Sequence, residues 1–135
     1  MGFNNNAELM NSAVVAVAET APSNWTKILL YFEFLQDAEI GLRNKWVARC
    51  FTGNNFEIRL DAYNVGRSTK SFNALKAVYD DAVQNNSIWS GILLTIFNDG
   101  QFKCRLYYGS TPLLSGDDSA LEEIMSKGVI DLPKS

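Results

Sequence analysis

The chain has 135 residues, with 12 Lys and Arg, 15 Asp and Glu and no His; its formal charge is −3 and it is 47% hydrophobic. That much Leu, Ile, Val and Phe excludes intrinsic disorder, and the length suits one domain with one core. The acidic balance argues against non-specific nucleic-acid binding, and the lack of His excludes Ser-His-Asp and Cys-His catalysis and His-ligated metals.

Asn6 is a candidate N-cap, with Glu8 in the first turn. Leu9, Met10, Ala13, Val14 and Val17 then recur at helical spacing, and the helix is expected to end near Thr20, ahead of Pro22. The longest unbroken apolar run, Ala13–Ala18, is six residues, far short of the ~20 that cross a bilayer. Residues 1–9 hold no Lys or Arg, so no secretory signal is expected and the chain reads as cytoplasmic.

Ile28, Leu30, Phe32 and Phe34 alternate with Lys27, Leu29, Tyr31 and Glu33, a strand apolar on both faces and therefore central or partly covered. Residues Asp37–Asn44 read as a loop. A second strand puts Trp46, Ala48 and Cys50 on one face and Lys45, Val47 and Arg49 on the other. After a turn at Thr52–Asn55, the third strand has Phe56, Ile58 and Leu60 inward and Glu57, Arg59 and Asp61 outward. A helix over Ser71–Asn85 carries the stripe Phe72, Leu75, Val78, Tyr79, Ala82 and Val83.

Ser90–Asn98 reads as a buried strand, and Asp99-Gly100 marks a tight hairpin. The return strand turns Phe102, Cys104, Leu106 and Tyr108 inward and Lys103, Arg105 and Tyr107 outward. After a loop over Gly109–Asp118, a helix runs over Leu121–Lys127, capped by Asp118 or Ser119 and stopped by Gly128. The expected fold is α+β: an antiparallel five-stranded meander in the order α-βββ-α-ββ-α, helices mainly on one face, one domain over residues 1–135.

Chemistry-bearing residues are few. Glu33, Glu57 and Asp61 share the outer sheet face with Lys45, Arg49, Arg59 and Arg105, a pattern that cross-strand ion pairs satisfy without catalysis. Cys50 and Cys104 sit in apolar runs and read as reduced core thiols; two are too few for a disulfide framework or a four-thiolate zinc site. Trp25, Trp46 and Trp89 read as core. Asp117, Asp118, Glu122 and Glu123 lack the spacing of a calcium loop and read either as helix-start acids or as a docking patch for a basic partner. The outward face, with Tyr31, Val47 and Tyr107 among charges, has the composition of a protein interface unless a terminal segment covers it.

The run Pro22-Ser23-Asn24-Trp25-Thr26-Lys27-Ile28-Leu29-Leu30-Tyr31-Phe32-Glu33 is followed by Trp89-Ser90-Gly91-Ile92-Leu93-Leu94-Thr95-Ile96 and Asn98-Asp99-Gly100-Gln101-Phe102-Lys103. Together they resemble the YezG-like immunity (antitoxin) proteins of bacterial polymorphic toxin systems of the contact-dependent inhibition type. The likeness spans roughly residues 7–108; the middle of the chain is more basic than the family pattern, with eight bases against five acids over residues 27–76.

The resemblance implies a small cytosolic protein without catalytic activity. It would bind the C-terminal domain of a toxin, often a nuclease, and block it. The partner-facing candidates are the acids Asp80, Asp81, Asp117, Asp118, Glu122 and Glu123, and the sheet-face residues Tyr31, Glu33, Glu57, Arg59 and Tyr107. No cofactor, metal, nucleic acid or membrane is expected, and the free protein is expected to be a monomer. The other readings are a small acidic adaptor or secretion-chaperone-like module, and an enzyme using Glu33, Glu57, Asp61 or a Cys.

Overall fold

The computed structural model describes residues 2–52, 58–60 and 65–130. Its elements are α1 (Gly2–Ala18), β1 (Lys27–Asp37), β2 (Gly41–Thr52), β3 (Ile58–Leu60), α2 (Thr69–Gln84), β4 (Gly91–Phe97), β5 (Phe102–Tyr107), α3 (Pro112–Ser115) and α4 (Asp118–Ile130). The protein is α+β with an antiparallel sheet.

The sheet departs from the expected five-stranded meander. Among the described residues four long strands run in the order β2-β1-β4-β5, and the described part of the third expected strand, Ile58–Leu60, pairs at the β2 edge, with Phe56, Glu57 and Asp61 outside the described residues. β4 pairs with β1, not with β3, so two hairpins meet along β1 and α2 carries the chain between them. The cause lies in hydrophobicity: β1 and β4 are apolar on both faces, and the two most water-averse strands take the centre.

The expected loop over Asp37–Asn44 is mostly strand. β1 reaches Asp37 and β2 begins at Gly41, with Asn44 opposite Phe34 and Arg43 opposite Leu35. Pairing with the buried β1 holds the polar Arg43 and Asn44 extended. The turn itself closes on Asp37, whose Oδ1 accepts from the N–H groups of Glu39 (2.8 Å) and Ile40 (3.0 Å). Those two bonds hold the Asp37 carboxyl below the usual carboxylate range.

Helices lie on both faces, not mainly on one. On the first face Ile28, Leu30, Phe32 and Phe34 of β1 and Ile92, Leu94 and Ile96 of β4 pack under α1 and α2. Phe32 stacks on its cross-strand partner Trp46 at 5.5 Å, and Phe34 stacks on Tyr79 of α2 at 4.9 Å. Trp89 is buried in the same cluster. On the second face Leu29, Tyr31 and Leu93 lie under Ile124 and Met125 of α4, with Leu113 and Leu121 beside them.

The helix starts follow local chemistry. Ser68 caps α2, its Oγ accepting from the Ser71 N–H at 3.0 Å, and the Ser71 hydroxyl donates to the Ala16 carbonyl of α1. Asp117 caps α4 through the Ala120 N–H, one residue ahead of Asp118 and two ahead of Ser119, the expected caps. α4 also runs past Gly128, which was expected to stop it, and α3 forms inside the expected loop.

Candidate functional site

For the second sheet face the sequence allows an open interface or cover by a terminal segment, and the structure shows the cover. Odd-numbered residues of β1 point to this side, and α3 and α4 cover them. Tyr31 and Glu33 are fully buried and Tyr107 is half-buried, so the sheet face does not offer them as a docking surface.

Glu33 is the organising residue. Its Oε2 accepts from the Tyr31 hydroxyl at 2.7 Å and from the Leu113 N–H at 2.9 Å; its Oε1 accepts from the Leu114 N–H at 2.8 Å. Those N–H groups open α3, where no intrahelical acceptor exists, and the Thr111 side chain makes no cap bond. A carboxylate from the middle of the sheet therefore caps a helix 80 residues away in sequence. A buried carboxylate is tolerable only with such hydrogen bonds around it. The expected cross-strand ion pair at Glu33 is thus replaced by backbone donors and a tyrosine.

Tyr31 completes the arrangement. Burial, then its bond to Glu33, raises its hydroxyl pKa far above the ordinary tyrosine value. Gly91 lies opposite Glu33 in the register, and a Cβ there would come 2.4 Å from the Tyr31 Oη. Only glycine leaves room for the hydroxyl. The Tyr107 ring meets the Tyr31 ring edge-on at 6.1 Å. Chemically this is a closed clamp: it holds α3 on the sheet and offers its carboxylate to no solvent-borne group.

The expected acidic patch is split between two sides of the sheet. On α4, Asp118, Glu122 and Glu123 are exposed, while Asp117 serves as the cap. Glu122 takes an ion pair from Arg49 of β2, which reaches up to the helix and not across the strand. Asp80 and Asp81 belong to α2 on the opposite side. Asp80 is bonded to Lys76 one turn earlier, and Asp81 is half-buried. Glu57 lies outside the described residues, as does Asp61; Arg59 sits on β3 opposite Phe51.

Leu106 and Tyr108 were read as inward but are exposed, because α1 and α2 cover the central strands and stop short of β5. The gap is a cleft of about 630 Å³ between α1, α2 and β5. Met10, Val78, Ala82, Trp89, Phe102 and Leu106 make it mostly apolar, and Asp81 contributes one carboxylate to its lining. Its size falls in the usual range of ligand and side-chain pockets. The sequence signal was present but ambiguous: alternation marks a strand face, not whether a helix reaches that strand.

Cys50 and Cys104 are free thiols, each pushed up to about 11 by burial, which leaves little thiolate near neutral pH. Among the described residues no group of three or more Cys, Asp and Glu side chains could hold a metal ion. No helix of the described residues is long and apolar enough to cross a membrane. No protein-family model matches the chain, and no curated protein matches it.

Proposed function

We propose that this chain is an immunity (antitoxin) protein that binds and neutralises a bacterial toxin domain, in the simplest case a nuclease, by forming a tight protein–protein complex. One observation carries the reading: α4 displays Asp118, Glu122 and Glu123 from a helix whose predecessor is pinned to the sheet by the buried Glu33. Such a surface loses little conformational freedom on binding, and its charge complements the positive groove a nuclease uses for its substrate. The resemblance in strand and hairpin pattern supports the same role.

The test is neutralisation of a toxin domain encoded beside this chain. Asp118→Lys with Glu123→Lys is expected to slow association by about tenfold or more at low salt. Thermal stability should fall only slightly, since both side chains are exposed and a Lys at the start of α4 costs about 0.3–1 kcal/mol. Unchanged affinity in that double variant would remove α4 as the docking surface.

The alternative, a small acidic adaptor or secretion-chaperone-like module, is favoured by the open apolar cleft beside β5. It predicts several partners of moderate affinity in place of one tight partner, which co-purification with mass spectrometry distinguishes.

A further inference from the structure

β5 ends the sheet on its side, and among the described residues no strand pairs with its outer edge. The hairpin sets which backbone groups are involved. The Phe97 N–H donates to the Gln101 carbonyl, so in the antiparallel register Lys103, Arg105 and Tyr107 turn their backbone groups toward β4. Phe102, Cys104 and Leu106 turn theirs outward. The side chains of Phe102 and Leu106 also line the cleft, whereas Lys103 and Arg105 belong to the other face of the strand.

These features specify an occupant. A strand laid along β5 would bond to the backbone of Phe102, Cys104 and Leu106. Cross-strand neighbours share a face, so its alternate side chains would enter the cleft beside Phe102 and Leu106. The remaining side chains would stand beside Lys103 and Arg105, where opposite charge is favoured. We propose that β5 is a strand-addition site for an extended partner segment that alternates apolar and acidic residues. The apolar side chains fill the cleft and the acidic ones face Lys103 and Arg105. The site is separate from the α4 surface and does not require the partner to be a toxin.

The probe is a short capped peptide of alternating valine and glutamate, with an alternating valine and lysine peptide beside it. Bulk attraction to a protein of net charge −3 would favour the lysine peptide, so the proposed site predicts the opposite order. Amide exchange followed by NMR is expected to show slowing by roughly tenfold or more at Phe102, Cys104 and Leu106 as the glutamate peptide saturates. Lys103→Glu should weaken that peptide by about two- to fivefold. Leu106→Pro removes an outward N–H that β4 does not use, and should abolish the protection. Should that variant fail to fold, methylating alternate backbone nitrogens of the peptide makes the same cut with the wild-type protein.

Three results would each overturn the proposal. One is the absence of saturable binding. Another is binding that leaves the three amides unprotected, as an apolar ligand filling the cleft alone would do. The last is protection by the lysine peptide as strong as by the glutamate peptide.

Discussion

Glu33 and Tyr31 show how a polar pair can belong to the interior. Alternation along β1 correctly put both on one strand face, and polarity then argued for solvent. What the sequence could not show was the donor set, since Leu113 and Leu114 supply only their backbone N–H groups and lie in a helix of four residues. The same pair has a pH signature. Unfolded tyrosine ionises near pH 10.0, while folded Tyr31 stays protonated well above that. The unfolded state then holds fewer protons, so stability is full below about pH 10 and falls as pH rises further, by at most about 1.4 kcal/mol per pH unit for one group. The thiols of Cys50 and Cys104 act in the same direction from about pH 9. Tyr31→Phe is therefore expected to be less stable than wild type at pH 8 and to lose less above pH 10. Urea titrations at a series of pH values check this; parallel curves would contradict it.

Between elements, legibility tracked how local the cause was. The Asp99-Gly100 hairpin was readable because its cause is contained in it: Gly100 takes φ +93°, and the Asp99 Oδ1 accepts from the Gln101 N–H at 2.9 Å. The α2 stripe was readable for the same reason, and Leu75, Val78 and Tyr79 are its buried members. The placement of α3 and α4 was not, because it depends on a sheet residue far away in sequence. Glu33→Gln tests that dependence. A glutamine keeps the shape but puts an NH₂ group where an acceptor is needed, which leaves at least one buried donor without its partner. The expected loss is about 1–3 kcal/mol. Hydrogen exchange should quicken first in α3 and α4, ahead of β1 and β4; uniform quickening would show that the clamp is not local.

At the scale of the whole molecule, the α+β class and the covered, two-sided character of β1 could be read from composition and alternation. The strand order could not, since every strand offers the same period and only their relative hydrophobicity picks the centre. With α1 and α2 on one side and α3 and α4 on the other, the sheet becomes the middle layer, and the free surfaces move outward to α4 and to the edge at β5. The central place of β1 also has a consequence during synthesis. Its second neighbour, β4, begins at Gly91, about fifty residues after β1 ends at Asp37. At about 5–20 residues per second a ribosome needs roughly 3–10 s to make that stretch. For that interval the buried central strand waits with one edge open and α3 and α4 not yet made. Nascent chains stalled at Ser87 are thus expected to be cut readily by protease and held by chaperones, whereas chains that have released residues through Tyr107 should resist. The hazard for this protein lies in the timing of its translation as much as in the stability of its finished fold.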